Sequence, residues 1–470
     1  MNELNFDMQG AGFGIGSQES VANLNKALEA GYGTSPETQS GGGAFRVESL
    51  ESSLKVLTYT DQQIKFWKRI PKLTATNTVE EYNQLLSYGA DGGGFLPEGQ
   101  TPDTEDSQYQ RQAAFVKFLG ITREVTHQMT LVNSAHGDVI ARSNQDGIMS
   151  MLKKLEHGLF WGNSKLGAGG TEYVEFDGLD SQISEENTIN LKGNPLEPEH
   201  LNFGSNMIID NFGTPTDLFV PYAVQAHFAN SYIPKERQFM PTAQSNTAGT
   251  VIDTYNTIGG PVNFTPDVFL RQTRPLSALQ PHAKAPAQPA SVTAEDLAAA
   301  TTDGEFYNSG TGIYKYYVTA ANRHGESAAT EIDTPVTLTA DDLQKAVTIK
   351  IKNAGSSMFP VDYYTVYRTE AGGSKAYQIA RIPASSAAGG SETLFKDRNL
   401  TMPNTYTAFM GEMSEQVLAF KQLAPLTKMD LATVGPSYRW MILLYGTPIL
   451  YAPKKWVRFK NIKAEIGQFS

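Results

Sequence analysis

Residues 73–116 read LTATNTVEEYNQLLSYGADGGGFLPEGQTPDTEDSQYQRQAAFV and carry the most informative pattern of this chain. Two runs with strand-like alternation, VEEYNQLLSYG and YQRQAAFV, flank about twenty residues rich in glycine, proline and acids, which predicts an extended hairpin rather than a tight turn. A two-stranded ribbon has little core of its own and is marginal in water. We therefore expect this hairpin to lie on a neighbour.

A long amphipathic helix is expected after the hairpin, within residues 138–160. Four apolar residues recur there at the spacing of one helical face, namely Ile148, Leu152, Leu155 and Leu159. Further along, the patterns predict a helix at residues 198–211, a buried strand at DLFVP and a short helix at residues 223–231. This mixture of helices and strands favours an α+β (mixed α/β) fold.

Proline and alanine dominate PHAKAPAQPA, residues 281–290, as is typical of a linker between domains. Short alternating strands follow, divided by glycine and serine turns, which predicts an all-β sandwich. Beyond them, the spacing of GEMSEQVLAFKQL predicts a helix, and the chain closes with RWMILLYGTPILYAPKKWVRFKNI, an apolar run and a basic strand. The sandwich is therefore predicted to be inserted into a domain that resumes after it.

These patterns divide the chain into five parts. We predict an N-terminal arm (1–60), an extended loop with flanking strands (73–130), a part with the long helix (131–285), the inserted β-sandwich (286–400) and a return to the earlier domains (401–470). The arm is rich in glycine, serine, asparagine and threonine and carries two short amphipathic stretches, which predict small helices.

The composition excludes several kinds of chemistry. Because none of the 470 residues is cysteine, disulfides, thiolate metal sites and cysteine nucleophiles are excluded. No run of 18 apolar residues occurs and the N-terminus lacks a signal-peptide pattern, so we expect a cytoplasmic protein that does not span a membrane. The net charge of −11 disfavours a protein built to neutralise phosphate, because such binding is driven by lysine and arginine displacing counterions.

No pattern for catalysis or for cofactor binding is found. The glycines near the N-terminus alternate strictly and follow no strand, unlike a dinucleotide-binding fingerprint. None of the 7 histidines stands at metal-ligand spacing, and neither a nucleophile elbow nor a P-loop occurs. Adjacent carboxylates such as Glu80 and Glu81 fit a solvated surface better than glycosidase chemistry. We therefore expect no enzyme activity, no cofactor and no metal.

Charges of opposite sign gather on two separate elements. The hairpin tip holds Phe95, Glu98, Asp103, Glu105 and Asp106, and the C-terminal strand holds Lys454, Lys455, Arg458, Lys460 and Lys463. Such patches suit contacts between identical subunits, and two independent solvated faces explain them equally well. All of these residues except Lys463 are our candidate assembly contacts.

The order of the elements resembles that of the Hong Kong 97 capsid fold of tailed-phage major capsid proteins. The matching segments are the arm, the loop with FLPEG at its tip, the helix ending in FWGNS and the closing APKKWVRFKNI. More closely, GYGTSPETQSGGGAFRVESL, EFDGL, FGTPTD, GEMSEQV and APKKW resemble capsid proteins of large contractile-tailed phages of Gram-positive hosts. The inserted sandwich resembles the immunoglobulin-like or fibronectin-like domains of phage structural proteins.

The resemblance implies an N-terminal arm, an extended β-hairpin loop, a peripheral domain with a spine helix and the C-terminal strand, and an axial domain. It implies a protein that assembles with itself into pentamers and hexamers of an icosahedral shell around double-stranded DNA, in the bacterial host cytoplasm. A portal, a scaffolding protein and a maturation protease are implied partners, together with decoration proteins. Residues 34–43 are where a tether cleaved by that protease is expected.

Two alternatives stay open. One is the shell of an encapsulin-like cellular nanocompartment, against which the long arm and the inserted sandwich argue. The other is a secreted carbohydrate-active enzyme with a fibronectin-type module, which would need a signal peptide and a convincing acid pair.

Some relatives of the resembled family crosslink neighbouring subunits through a lysine of the extended loop. Residues 73–116 contain no lysine, so we predict no such crosslink.

Overall fold

The computed structural model describes residues 60–89, 95–101, 104–132, 137–232, 252–271, 273–277, 281–295, 297, 300–354, 358–385, 392–433 and 435–464. The predicted arm up to residue 59, with its two small helices and the expected tether, lies outside the described residues. So does Asp103 of the hairpin tip.

The described helices are α1 (Phe66–Arg69), α2 (His127–Leu131), α3 (Val139–Trp161), α4 (Leu179–Gln182), α5 (Pro198–Asp210) and α6 (Tyr222–Tyr232). The first strands are β1 (Lys72–Thr74), β2 (Val79–Ser87), β3 (Gln108–Phe115), β4 (Lys117–Thr126), β5 (Thr188–Asn190), β6 (Asp217–Val220), β7 (Thr254–Thr257) and β8 (Gly260–Pro266). The middle strands are β9 (Ser291–Ala294), β10 (Gly312–Tyr314), β11 (Tyr316–Asn322), β12 (Gly325–Glu326), β13 (Thr330–Glu331), β14 (Val336–Leu338), β15 (Val347–Lys352), β16 (Tyr363–Thr369), β17 (Ala376–Pro383) and β18 (Glu392–Asp397). The last strands are β19 (Tyr406–Gly411), β20 (Leu418–Asp430), β21 (Ser437–Leu450) and β22 (Trp456–Ile462).

The long helix α3 packs on a four-stranded sheet of order β1-β20-β21-β4. Asp138 stabilises the start of the helix, where its carboxylate accepts a hydrogen bond from the Ile140 amide at 3.0 Å. The predicted apolar stripe faces the core, with Leu152, Leu155 and Leu159 buried. The prediction of this helix is therefore confirmed.

A close turn ends α3 and returns the chain across it. Gly162 donates a hydrogen bond to the carbonyl of Gly158 at 2.7 Å, and Gly178 donates one to the carbonyl of Gly162 at 2.9 Å. A Cβ atom at Gly162 would lie 2.2 Å from the carbonyl oxygen of Phe176, so only glycine fits there. The EFDGL block therefore packs directly against this turn, through Phe176 and Gly178.

A second sheet has six strands in the order β5-β22-β19-β6-β8-β7, and helices α5 and α6 pack on it. All four residues of β6 are buried, as expected for a strand covered on both faces. On one face, Leu218 shares a core with Ile208 of α5 and Phe459 of β22. On the other, Phe219 packs 6.0 Å from Phe160 of α3, measured between ring centroids, so both sheets contribute to the core around the long helix.

Residues 291–397 form all-β structure with a core of its own. One sheet has the order β12-β11-β16-β17 with β13 also paired to β11, and a second has the order β18-β15-β9. Val318 of β11, Val366 of β16 and Ile349 of β15 lie in one buried cluster, so the two sheets share a core. Arg368 is buried there, paired with Asp397. This arrangement agrees with the predicted all-β pattern, whose immunoglobulin-like or fibronectin-like subtype stays a prediction.

Side-chain contacts hold this all-β unit against the rest of the subunit. The rings of Tyr173 and Tyr363 lie 5.6 Å apart, edge to face. The guanidinium of Arg381, on β17, donates a hydrogen bond to the carbonyl of Trp161 at the end of α3. The backbone adds a contact, because Pro275 forms an isolated β-bridge with Tyr377, the second residue of β17. The unit is therefore attached by packing as well as by its two connections.

Strands β2 and β3 form the predicted extended hairpin, and no third strand joins them among the described residues. Their register runs from Val79 opposite Phe115 to Leu85 opposite Tyr109. After Val116 the chain continues as β4 at the edge of the four-stranded sheet, so the hairpin projects from that sheet. The prediction of an extended hairpin and the α+β fold class are confirmed.

One local prediction is wrong. The segment GEMSEQVLAFKQL forms no helix, because its second half begins β20 and pairs with β1 and β21. Four successive residues there are buried, namely Val417, Leu418, Ala419 and Phe420. A strand covered on both faces shows no alternation, which is why its spacing resembled that of a helix. The closing APKKWVRFKNI forms β22 in the six-stranded sheet, and its Trp456 lies in the same buried core as Leu159 of α3; its place in a peripheral domain stays a prediction.

Candidate assembly surface

The two faces of the hairpin differ in what they contact. On the inner face, the Gln84 amide donates a hydrogen bond to the Tyr451 carbonyl at 2.5 Å, and the Tyr82 and Tyr451 rings lie 5.1 Å apart. Glu80 on the same face lies 3.9 Å from Lys421. The residues that alternate with these along β2 are exposed. The hairpin therefore rests on its own subunit by one face and leaves the other open.

Large apolar side chains are exposed along the outer face and toward the tip. They are Val79, Leu85, Leu86, Tyr88, Phe95, Leu96, Tyr109 and Phe115. Tyr88 is 86% exposed and Phe95 is 99% exposed. Grouped apolar exposure of this kind marks an interaction site on a folded protein. The outer face and tip of the hairpin are therefore the candidate assembly surface.

The acids of the tip are available for such a contact. Glu98, Glu105 and Asp106 are exposed, and none has an ion-pair partner within the described parts of the chain. The hairpin's own ion pair, between Arg111 and Glu81, lies further down the strands. The tip therefore carries negative charge that forms no ion pair with the described residues.

The basic residues near the C-terminus are more strongly engaged. Lys454 is exposed, whereas Lys455 lies 3.6 Å from Glu412. The ammonium of Lys460 lies 4.0 Å from Glu185, and burial lowers the pKa of Lys460 although Asp180 opposes that shift. Of the predicted basic contacts, Lys454 is the most accessible.

Arg458 belongs to the interior of the subunit, so its prediction as an intersubunit contact is wrong. Its side chain is 1% exposed and lies 2.7 Å from Asp180 and 2.8 Å from Glu185. A buried cation needs such partners, because desolvation of an unpaired charge is costly. Burial raises the pKa of the Glu185 carboxyl, but Lys460 and Arg458 outweigh burial and hold that pKa below its usual value.

Buried acids hold residues 65–69, which follow the predicted N-terminal arm in the sequence. Glu156, on the buried side of α3, accepts hydrogen bonds from the three amides of residues 65–67 at 2.8, 2.7 and 2.9 Å. Arg69 then lies 2.5 Å from Asp217 of β6, and burial raises the pKa of Asp217 although Arg69 opposes that shift. We call residues 65–69 with these acids the arm anchor.

Asp267 is the third buried acid of the arm anchor. Burial, followed by the nearby charge of Glu156, raises the pKa of Asp267 to about 8. One carboxyl oxygen, Oδ1, accepts a hydrogen bond from the Phe269 amide at 2.7 Å. The other, Oδ2, is buried without a donor among the described residues. A proton on Asp267 leaves a single negative charge in this site, which explains how two acids share it.

No group of three or more histidine, aspartate or glutamate side chains among the described residues could hold a metal ion. No described helix combines the length and the apolarity needed to cross a membrane.

Comparison with known proteins identifies the family. The family model of the SU10 major capsid protein matches residues 37–311, more than half of the chain. The major capsid protein of Staphylococcus phage K is 31% identical over 449 residues, which cover 93% of this chain and 94% of that one. The chain belongs to this family of major capsid proteins.

Two further similarities are found. The counterpart in Enterococcus phage phiEF24C is 30% identical over 447 residues, covering 93% of this capsid protein and 94% of its own length. Among solved structures, that of Gordonia phage Cozz aligns with a TM-score of 0.46 at 9% identity, covering 94% of this chain and 99% of that chain. The family assignment rests on the family model and the sequence relatives.

Three of the sequence blocks that carry the resemblance meet at one corner of this capsid protein. Glu412 of GEMSEQV accepts a hydrogen bond from the Thr214 amide of FGTPTD at 3.2 Å and lies 3.6 Å from Lys455 of APKKW. The Thr216 amide donates a hydrogen bond to the Gly411 carbonyl at 3.1 Å. The sequence marked these blocks separately, but only the fold brings them together.

The arm anchor was missed by the reasoning from sequence. A signal for Glu156 does exist, because it stands four residues after Leu152 and next to Leu155, on an otherwise apolar helical face. An acid in that position is expected either to be expelled or to find buried donors. Asp267 follows β8 and carries no comparable signal in the sequence.

Proposed function

We propose that this chain is the major capsid protein of a tailed bacteriophage, which assembles with itself into an icosahedral shell around double-stranded DNA in the virion. The observation that carries the proposal is the hairpin. It exposes eight large apolar side chains, including Phe95 at 99%, on a ribbon with no third strand among the described residues. Burial of that surface by a neighbouring subunit would stabilise both the ribbon and the shell.

In the proposed contact, the hairpin tip of one subunit lies against the basic residues near the C-terminus of another. The proposed contact residues of the tip are Phe95, Glu98, Asp103, Glu105 and Asp106. Those near the C-terminus are Lys454, Lys455 and Lys460. Opposite charges at the rim of an interface guide orientation and association more than they add affinity. Shell formation then depends on many such contacts, each of them weak.

The remaining roles follow from the same proposal. The protein acts by assembly and not by catalysis. Its net charge of −11 fits a shell that encloses DNA without sequence-specific binding. A portal, a scaffolding protein and a maturation protease are the proposed partners, with decoration proteins as further ones. We also propose that residues 286–400 are an immunoglobulin-like or fibronectin-like domain for display on the shell. The named relatives favour a phage shell over an encapsulin-like compartment and over a secreted enzyme.

Electron microscopy of the expressed protein tests the function directly, because shells or capsomers are expected and isolated monomers would contradict the proposal. The contact is tested by reversing Glu98, Asp103, Glu105 and Asp106 to lysine. We expect a folded subunit with impaired assembly at low salt and partial rescue at high salt, because salt screens charges over about 8–10 Å. Sedimentation across a salt series measures assembly, and circular dichroism reports folding.

The matched control reverses four exposed acids of the all-β unit, Asp333, Asp341, Glu370 and Glu392, to lysine. It makes the same change in net charge away from the hairpin, so it should assemble as the unmodified protein does. Equal assembly of the tip variant and the unmodified protein at low salt would leave both patches as solvated surface.

A further inference from the structure

Phe212, the first residue of FGTPTD, has an unusual backbone and an unusual environment. It stands two residues after α5 with φ at 58°, in the left-handed region that L side chains rarely adopt, and its side chain is 92% exposed. Helices often end with a left-handed residue, but that residue is usually glycine, because a Cβ atom makes the conformation unfavourable. The backbone of Phe212 is therefore strained, and its ring is exposed to solvent.

Glycine is present next to this position, where the packing requires it for another reason. A Cβ atom at Gly213 would lie 2.7 Å from Cγ2 of Ile208 and 3.1 Å from Cγ of Lys455. The Gly213 amide donates a hydrogen bond to the Ile208 carbonyl at 2.9 Å, and the Phe212 amide donates one to the Ile209 carbonyl at 2.8 Å. The backbone is thus held by neighbours that make no use of the phenyl ring.

The subunit gains little from an aromatic side chain at this position. No ring contact joins Phe212 to another aromatic residue among those described, and the ring is almost entirely in water. A glycine or an asparagine would satisfy the same turn with less strain. A strained residue that its own subunit does not need points to a role outside the subunit.

The surroundings of Phe212 have the character of a contact surface. Ile209 and Ile258 are exposed, and the β7–β8 turn that carries Ile258 lies close, because a Cβ atom at Gly259 would be 3.0 Å from Ile209. The FGTPTD turn also touches the APKKW turn through Lys455, and Lys454 beside it is exposed. The acid at this corner, Asp210, accepts a hydrogen bond from Asn206 at 3.0 Å. We call Ile209, Phe212, Ile258 and Lys454 the Phe212 corner.

We propose that Phe212 is the apolar anchor of a contact with a second copy of this chain, and that its partner is the hairpin tip of that copy. The tip offers the matching chemistry, because Phe95 and Leu96 are exposed there together with the acids Glu98, Glu105 and Asp106, which can pair with the exposed Lys454 of the second copy. A buried aromatic pair within a polar rim is the usual composition of an interface hot spot. The inference rests on the proposed assembly function and deepens it.

The decisive variant is F212G. A role in intersubunit contact and a role within the subunit predict different combinations of melting temperature and shell yield for it. If Phe212 anchors a contact, the unassembled F212G subunit melts at a higher temperature than the unmodified one, because strain is relieved, yet its shell yield falls at least tenfold. A lower melting temperature would mean that the ring stabilises its own subunit, and it would overturn the proposal. Shell yield equal to that of the unmodified protein would overturn it as well.

F203A is the matched control, because Phe203 lies on the same helix α5, is 58% exposed and is not part of the Phe212 corner. It should assemble normally. The partner is tested with F95A and the double variant F95A/F212G. If the two rings meet, the shell yield of the double variant should be no lower than that of the single variant with the lower yield. A yield reduced by the product of the two single losses would overturn the tip as partner.

The same experiments separate this inference from the proposed function. If the unmodified protein and F203A form shells and F212G does too, only the role of Phe212 fails. If the unmodified protein forms no shells or capsomers, the proposed function fails and the inference fails with it.

Discussion

Replacing Asp267 with asparagine should remove a loss of stability that the unmodified protein undergoes at alkaline pH. Burial and the charge of Glu156 raise the pKa of Asp267 from 3.8 to about 8, so the folded protein keeps a proton that the unfolded chain releases. The folded state therefore binds more protons, and stability falls as pH rises. This contribution is complete below about pH 4, declines above it and is lost once pH passes about 8.

The size of the effect follows from that pKa. Between pH 7 and pH 9, the free energy of unfolding should fall by about 1.4 kcal/mol, since the proton is mostly bound at the lower pH and mostly released at the higher one. In D267N the side chain is uncharged at every pH, so this decline is absent. For a large cooperative unit the difference corresponds to a melting-temperature change on the order of 2 °C.

The assay is the melting temperature of the unassembled subunit, followed by intrinsic fluorescence from pH 6.5 to 9.5. The matched control is D341N, which removes an exposed carboxyl of the all-β unit and should keep the pH dependence of the unmodified protein. The informative quantity is the difference between the curves, because other groups that titrate in this range cancel. Parallel curves for D267N and the unmodified protein would refute the reasoning about a shared proton at the arm anchor.

Two further outcomes are expected. Boiling purified shells in detergent should release monomers, because residues 73–116 contain no lysine to attack a neighbouring subunit, and a ladder of covalent multimers would contradict this. Replacing residues 286–400 with a short Gly/Ser linker should preserve capsomers, because the all-β unit has its own core, but lower the melting temperature, because Leu166 and Tyr173 lose their packing on Tyr363. An insoluble product, or one that forms no capsomers by electron microscopy, would show that the unit is structural to the shell.

Residues that depend on local pattern were predicted well. Leu152, Leu155 and Leu159 identify α3 because helical spacing brings them to one face whatever the rest of the chain does. The hairpin was predicted for a similar reason, since the alternation of β2 and β3 and the turn-rich stretch between them are properties of neighbouring residues. Where both faces of a strand are buried, as in β20, that local signal disappears and the prediction of a helix was wrong.

Residues that depend on distant partners could not be predicted in the same way. The sequence shows that Arg458 is positive, but whether it is exposed depends on Asp180 and Glu185, more than 270 positions earlier in the chain. Glu156 likewise stabilises the arm anchor through amides that lie 89 to 91 positions away. Burial and pairing of this kind are set by packing between elements.

The sequence alone therefore determined the kind of most elements, but not of β20, together with their order, the signs of the charges and the family resemblance, because each of these is carried by residues that are close along the chain. Only the tertiary structure decided which charges stay exposed, which acids share a proton and which turn holds Phe212 in a left-handed conformation. Those properties arise from close approach, as at Gly213, where the space available to a side chain is set by Ile208 and Lys455 together. Distances between residues that are remote in sequence exist only once the chain is folded.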